Sequence, residues 1–251
     1  ADIYLGTKTS TGDVEGEVIE KKSFNKDINV VKILDSFIGM QYQLPPMYSA
    51  LKHQGKPLYK CMLDKLLKIK DIDRVVINTD APELISVDKE YKFKVYIKNR
   101  KPELCGDEIS MNLIIQDDID SEASEYYLMT HTTNPLLQVN TIEKAIEIYK
   151  KAVVNEIADS LFTVNEIQSR FYDKNKQAIN HDPKTLIPTQ NLEPLYEENS
   201  NLYIFSKESF NKTNGRIGKD PLMMATSKLE SIDIDDKDDW DLATLVASLT
   251  Q

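Results

Sequence analysis

The sequence predicts a three-layer α/β fold built on a mostly parallel sheet, with a β-rich segment ahead of it. Three observations carry this. Strand-like and helix-like patterns alternate from residue 58 to residue 251, the order expected of βα units. The run Val75-Val76-Ile77, closing in Asn78-Thr79-Asp80, reads as a buried parallel strand whose C-terminal end faces a ligand crevice. Near the C-terminus, Ser231–Asp236 alternates apolar with acidic residues, the period of a strand. Ile232 and Ile234 then share one face, and Asp233 and Asp235 share the other about 7 Å apart. Two carboxylates so placed suit one hard cation, and Mg²⁺ is commonly held by one or two carboxylates plus substrate phosphates.

The chain has 251 residues, 41% of them hydrophobic, enough for one good core or a core plus a smaller module. Its net charge of −10 argues against nucleic acid as the partner of the whole chain. Cys61 and Cys105 lack metal-ligand spacing and read as two reduced thiols of a cytoplasmic protein. No apolar run of about 20 residues is present, so no spanning helix and no membrane partner is expected. The start at Ala1, without an initiator Met or a visible signal peptide, reads as a piece cut from something longer.

Residues 1–54 come first. Ile3-Tyr4-Leu5 and Val14–Ile19 read as two short strands around a Thr/Gly/Asp loop. Val30, Val31, Ile33, Leu34 and Phe37 recur at helical spacing, and Gly39 is a stop. Pro45-Pro46 forbids helix and favours an extended lead into Tyr48-Ser49-Ala50-Leu51-Lys52. The words LGTKTSTGDVEGEV, FIG and QLPPMYSALKHQGKPLY, over residues 3–60, resemble an internal segment of the TruB-type tRNA pseudouridine synthases. That resemblance implies that Tyr48 and Lys52 lie in a stretch lining an RNA-facing cleft. It does not bring the family's catalytic aspartate, because no Gly-x-Leu-Asp-Pro-like word occurs here.

From residue 55 the character changes. Leu63, Leu66, Leu67 and Ile69 predict a helix with lysines on its outer face. After the Val75–Ile77 strand, Phe93, Val95 and Ile97 alternate as a short strand, and Arg100–Leu104 enters a loop. Asn112–Ile115 begins a helix or buried turn, and Tyr126–Met129 is a core strand running into Thr130–Leu137. Ile142, Ala145, Ile146 and Tyr149 follow at helical spacing, with Asn140 or Thr141 as cap. Ser160–Val164 is a strand, and residues 171–195 are polar and loop-rich. Asn201–Phe205 is a strand, and Lys207–Phe210 a helical turn. Trp240, Leu242, Ala243, Leu245, Val246 and Leu249 close the chain as a helix. Asp236, Asp238, Asp239 and Asp241 read as the acidic N-terminus of that helix. His131 reads as a hydrogen-bonded strand-end residue and Trp240 as core or interface packing, while His53 and His181 carry no partner pattern.

The words GKPL, VVINTD, RKPEL, HTTNPLL, EENSNLYIF and SIDIDDKDDWDLA, in that order over residues 55–249, resemble the CMP-sugar synthetases. These cytidylyltransferases activate acylneuraminate-type and 3-deoxy-octulosonate-type acids. The resemblance implies a nucleotidyltransferase-like, Rossmann-type fold for 55–251 and transfer of CMP from CTP to a sugar acid, with release of pyrophosphate. It implies Mg²⁺ held by Asp233 and Asp235, nucleotide binding by Asp80 and Arg100, and a catalytic role for Asp233, Asp235 and Arg100. It places Thr133, Asn134, Asn199 and Tyr203 on the substrate, and a homodimer is its usual assembly.

This sequence departs from the pattern in several places. Ser200 stands where the family word has Gly, Lys101 follows Arg100 where the family has Pro, and Thr189-Gln190 stands where Arg-Gln is common. The largest departure is at the front, where residues 1–54 hold nothing like the family's A-R-x-G-S-K-G phosphate loop. Charge-assisted contacts are worth roughly 1.5–3 kcal/mol each, so losing two weakens CTP binding well over a hundredfold. The chain therefore reads as chimeric, with the crossover at GKPLY. The expected activity is an impaired cytidylyltransferase; the alternatives are an RNA-binding pseudouridine-synthase fragment and a non-catalytic fusion.

Overall fold

A computed structural model describes residues 6–9, 18–23, 52–53, 56–106 and 108–249 of the chain. The chain divides into two compact units, Ala1–Leu58 and Tyr59–Gln251. The expected strand at Ile3–Leu5, the helix over 30–37 and Tyr48 lie outside the described residues.

In the first unit, strand β1 (Thr7–Thr9) pairs antiparallel with β2 (Val18–Lys21), with a register shift between Lys8 and Thr9. Threonines assigned to a loop from their neighbours thus form a strand, as β-branched residues readily do. Lys52–His53 (β3) and Lys56–Pro57 (β4) form a second, two-residue antiparallel pair.

The second unit is the α/β fold. Helix α1 (Leu58–Lys68) buries Met62, Leu63 and Leu66 on one stripe. Strand β5 (Val75–Thr79) pairs in parallel with β6 (Val95–Asn99). Phe93 precedes β6 and is exposed. Helix α2 (Met111–Ser121) starts at Ser110, whose hydroxyl accepts from the amide of Asn112, and buries Ile114, Ile115 and Ile119. Strand β7 (Tyr126–Thr130) leads to α3 (Val139–Val154), which buries Ile142, Ala145, Ile146 and Tyr149. Gln138 flanks α3 without a side-chain cap, so Asn140 and Thr141 sit inside its first turn rather than capping it.

Strands β8 (Ser160–Ile167), β9 (Leu195–Ser206) and β10 (Pro221–Ala225) complete a four-stranded sheet of order β10-β8-β9-β7. β10 runs parallel to β8, and β9 is antiparallel to both β8 and β7. One reversed strand, β9, therefore interrupts an otherwise parallel arrangement. Helix α4 (Lys207–Thr213) follows β9, and α5 (Lys237–Leu249) ends the described chain. Alternate residues of β9 face opposite layers. Leu202 and Ile204 pack with Met62, Leu66 and Ile142 of α1 and α3, whereas Tyr203 and Phe205 pack with Ile119 and Phe210 of α2 and α4. Helices on both faces make three layers. No helix among the described residues is long and apolar enough to cross a membrane.

One expectation needs correction. Ser231–Asp236 is not a strand. The sheet position beside β8 is taken by β10, a Pro-Leu-Met-Met-Ala run that the periodicity did not single out. The acidic segment is held instead by one backbone bond, from the Ile234 amide to the Thr133 carbonyl, 3.0 Å. Within it Ile234 is buried and Asp235 exposed, while Ile232 and Asp233 are both half-buried. The terminal helix begins as its acids require. Asp236 accepts from the amides of Asp238 (2.8 Å) and Asp239 (3.0 Å), and Asp239 returns bonds to the amides of Asp235 and Asp236.

β9 carries a bulge. Phe162 opposes Tyr203, but Val164 opposes Glu198, leaving Asn199–Leu202 to bow out against Thr163. The Thr163 side chain replaces lost ladder bonds by pairing with both the amide and the carbonyl of Leu202. Ser200 takes a left-handed φ of 56° in this bulge. That conformation costs a non-glycine residue about 1–2 kcal/mol. Ser200→Gly is therefore expected to stabilise the unit by about 0.5–1 kcal/mol, read as a higher urea midpoint; an unchanged or lower midpoint would show that the Ser200 hydroxyl, 3.4 Å from that of Tyr203, matters more.

Candidate functional site

The C-terminal ends of β5 and β7 open on one cavity of 620 Å³, and Asn78, Arg100, His131 and Thr132 line that end of it. Each side chain there is placed by a strand end and then by hydrogen bonds. Arg100 follows β6, and its amide closes the β5–β6 ladder on the Thr79 carbonyl at 2.8 Å. Its guanidinium donates to Asn78, through Nε to the side-chain oxygen (3.0 Å) and through Nη2 to the carbonyl (2.8 Å). Asn78 in turn donates to Asp118 Oδ1 at 2.7 Å. Asp118 is paired with Lys98, whose Nζ also reaches Asp117, the Asp117 carbonyl and Ser121. A buried ion pair beneath the sheet thus orients Asn78 and, through it, Arg100. Asp80 lies exposed just beyond β5.

Across the cavity, His131 extends from β7. Its ring is pushed below the ordinary histidine value, first by burial and then by the Arg216 charge, against the pull of Asp233 and Asp235. It is neutral near pH 7, and its Nε2 is buried without a hydrogen-bond partner among the described residues. Asp235 is held above the ordinary carboxylate range, chiefly by the neighbouring charge of Asp233. The two carboxylates therefore feel one another's charge, on an irregular segment rather than a strand. Asp233 Oδ1 is buried and also lacks a hydrogen-bond partner. Two repelling carboxylates with an orphaned oxygen fit a divalent cation, which would remove the repulsion and fill the orphan's coordination. The described residues show no cluster of three or more metal-ligating side chains, so the pair leaves most of the cation's coordination to phosphate and water.

Arg216 was not picked out by sequence reasoning. It lies in the turn between α4 and β10, and its guanidinium sits 3.8 Å from the centroid of the Tyr203 ring while pairing with Glu198 at 3.2 Å. The Asn-Gly-Arg-Ile-Gly context, an arginine between two turn glycines, was the available signal. The Tyr203 hydroxyl donates to Glu198, and burial with that partner pushes it up to about 12.

Of the other expected substrate residues, Asn199 and Thr133 have structural engagements. Asn199 is buried and bridges Asn165 (3.1 Å) and Thr226 (2.8 Å), tying β9 to β8 and to the segment after β10. Thr133 offers its carbonyl to Ile234, which docks the acidic segment against the end of β7. Asn134 is fully buried, with both side-chain polar atoms unpaired among the described residues. Tyr203 is fully buried. Lys52 lies in β3, in the other unit.

Solved structures share this architecture. The chain superposes on 4-diphosphocytidyl-2C-methyl-D-erythritol synthase from Anaerococcus prevotii with a TM-score of 0.55, at 11% identity, covering 78% of this chain and 87% of that one. It superposes on CMP:2-keto-3-deoxy-manno-octonic acid synthetase, solved in complex with CTP, with a TM-score of 0.54, at 11% identity, covering 84% and 95%. The α/β fold is that of the cytidylyltransferases. At this identity the likeness concerns the cytidylyltransferase fold alone.

The sequence itself matches elsewhere. Residues 1–103 match the N-terminal domain of the TruB family pseudouridylate synthases. The tRNA pseudouridine synthase B of Marinomonas sp. is 53% identical over 60 residues, 23% of this chain, and that of Nitrosococcus oceani 42% identical over 95 residues, 37% of this chain. The chain spans only 20% and 30% of the length of these two relatives. The domain match runs past Leu58 and takes in β5 and β6.

Proposed function

We propose that the Tyr59–Gln251 unit binds CTP with Mg²⁺ and transfers CMP to a hydroxyl of an acylneuraminate-like sugar acid, releasing pyrophosphate. This reading is carried by the docking of the acidic segment on the end of β7 through the Ile234–Thr133 backbone bond, which sets Asp233, with its buried unpartnered oxygen, and Asp235 within electrostatic reach of His131. Asp233 and Asp235 would hold Mg²⁺, which supplies charge neutralisation at phosphate oxygens when bound. Arg100, oriented by Asn78, supplies a fixed cation at the nucleotide end of the cleft. Arg216, stacked on Tyr203 and close enough to His131 to lower its value, supplies a second cation. His131, kept neutral, has a ring nitrogen able to accept the proton of the attacking hydroxyl.

Calorimetric titration of the whole chain with CTP tests this. Binding is expected with Mg²⁺ present, weakened at least about tenfold when Mg²⁺ is omitted or in Asp233→Asn. Folded protein that binds no CTP at millimolar nucleotide would overturn the reading. Pyrophosphate release on adding N-acetylneuraminate then reports the transfer step. A second reading rests on the match of residues 1–103 to the pseudouridylate synthase domain, which supports tRNA binding by the front of the chain. Salt-dependent tRNA binding in the absence of any CTP binding would favour it.

A further inference from the structure

Arg216 sits on a turn whose first peptide is held at neither end. The turn runs from Asn214, which follows α4, to Asp220, which precedes β10. Most of it is tied down. The Thr213 hydroxyl lies 3.2 Å from the Gly215 carbonyl and 3.1 Å from that of Ile217. The Gly218 amide donates to the Ser160 hydroxyl at 2.8 Å, and the amides of Lys219 and Asp220 donate to Asp159. The peptide between Asn214 and Gly215 has no such anchor. Among the described residues its carbonyl accepts no hydrogen bond and its N–H donates none. The Asn214 side chain is likewise unbonded among them, and the residue is exposed.

The sequence at this point is chemically distinctive. Asn214-Gly215 is the one Asn-Gly pair in the 251 residues. An asparagine side-chain amide is open to attack by the backbone nitrogen of the next residue, and glycine obstructs that attack least because it has no Cβ. Other asparagines are restrained. Asn180 donates to the Ser169 carbonyl at 2.7 Å, Asn155 donates to the Lys151 carbonyl at 2.6 Å, and Asn199 is buried between Asn165 and Thr226. Asn134 precedes Pro135, whose nitrogen carries no hydrogen.

The backbone geometry sets what the reaction needs. Asn214 has a φ of 53° and a ψ of 37°, the left-handed conformation that asparagine tolerates better than most residues. At that ψ the Gly215 nitrogen lies on the far side of Cα from Cβ. Ring closure therefore requires the 214–215 peptide to turn over. Counter-rotation about ψ of Asn214 and φ of Gly215 does this and leaves both flanks in place. It breaks no hydrogen bond among the described residues. The turned peptide gives Asn214 the conformation of the first central residue of a II′ turn, a position that asparagine also takes. Space is available on the glycine side, since even a Cβ at Gly215 would come no closer than 3.5 Å to a neighbour, Asn112 Nδ2.

We propose that Asn214 is a self-modification site, converted in the folded chain to aspartate and isoaspartate through a cyclic imide with Gly215. The Gly215 nitrogen bonds to Asn214 Cγ, the Cγ–Nδ2 bond breaks, and the side-chain nitrogen leaves as ammonia with the Gly215 amide proton. Water then opens the imide. Cleavage at Cγ gives aspartate. Cleavage at the main-chain carbonyl gives isoaspartate, in which the backbone runs through Cγ. One water is consumed, one ammonia is released, and nothing is oxidised or reduced. Either product adds a carboxylate two residues before Arg216, which already pairs with Glu198. Isoaspartate also lengthens the backbone there by one carbon. The conversion is independent of nucleotide binding by the unit.

Incubation of the full chain at mildly alkaline pH, followed by isoelectric focusing, tests the proposal. A more acidic band is expected to grow in the folded protein. Peptide mapping should assign it to Asn214, and an isoaspartyl methyltransferase should label it. The band should be absent in Asn214→Ser, and absent in Gly215→Ala over the interval in which half of the parent converts. In urea the conversion should be faster by no more than about a hundredfold, the population factor for a strained backbone step. A larger factor would mean that only the unfolded chain reacts. Assignment of the band to another asparagine, or its persistence in Asn214→Ser, would place the chemistry elsewhere. Equal conversion in Gly215→Ala, or a product free of isoaspartate, would mean that the Gly215 nitrogen is not the nucleophile. Each of these results overturns the proposal.

Discussion

Lys98→Ala is expected to destabilise the second unit by about 1–3 kcal/mol, the cost of removing charge-assisted hydrogen bonds to Asp117 and Asp118 while Lys101 still pairs with Asp117. Lys98 and Asp117 are both about nine-tenths buried, and their side chains meet at 2.5 Å. Burial alone would lower the Lys98 value, but its hydrogen bonds to Asp117 and Asp118 outweigh this and raise it. Asp117 is held below the ordinary carboxylate range by Lys101 and then Lys98. A carboxylate depressed in the folded state contributes stability above its unfolded value near 4 and loses it as pH falls through the folded value. The deficit of Lys98→Ala in urea unfolding should therefore be full at pH 7 and smaller at pH 3. A deficit equal at both would mean that lost side-chain packing, not charge, sets the cost. The same substitution loosens Asp118, hence Asn78, hence Arg100. Lys98→Ala should thus weaken CTP binding even where the protein remains folded.

Gly218→Ala is expected to cost about 1–3 kcal/mol by overpacking. A Cβ at Gly218 would lie 2.1 Å from Asp159 Oδ1 and 2.3 Å from the Ser209 hydroxyl. Asp159 is held in place by its own hydrogen bonds. Asp159 accepts from the amides of Lys219 (2.8 Å) and Asp220 (3.2 Å) and from the Ser160 hydroxyl, and Ser209 is buried. The turn must move, and Arg216 moves with it. Because Arg216 helps to hold His131 down, the His131 titration followed by NMR should shift upward in Gly218→Ala. Gly215→Ala is the control, since its Cβ would meet only Asn112 Nδ2 at 3.5 Å, ordinary contact. Equal losses at both positions would mean that turn flexibility rather than the Asp159 contact is what glycine supplies.

Much of the fold is legible in the sequence where period and burial coincide. Val75–Thr79 is a strand because β-branched residues fill a position covered on both faces. Ile142, Ala145, Ile146 and Tyr149 mark α3 because all four meet the core. Legibility ends where a pairing partner decides the matter. Pro221–Ala225 has no alternation, and it is a strand because β8 offers it an edge. Ser231–Asp236 alternates cleanly, and it is not a strand, its Ile234 amide bonding instead to the Thr133 carbonyl beyond the end of β7. In the site, Asp233 and Asp235 were visible as a pair on their own segment. Arg216 and the neutral state of His131 were not, because both depend on neighbours from elements distant in the chain.

The order of the words along the sequence determined that this chain joins two kinds of piece, and local pattern determined which stretches become helix or buried strand. Both are properties of neighbouring residues, set by side-chain period and backbone preference. Only the tertiary structure decided that β5 and β7 line one cavity, that a buried lysine is linked to Arg100 through Asp118 and Asn78, and that the acidic pair lies within electrostatic reach of His131. Those outcomes depend on which strand edges find partners and which charges share a low-dielectric interior, and neither is encoded within any one segment.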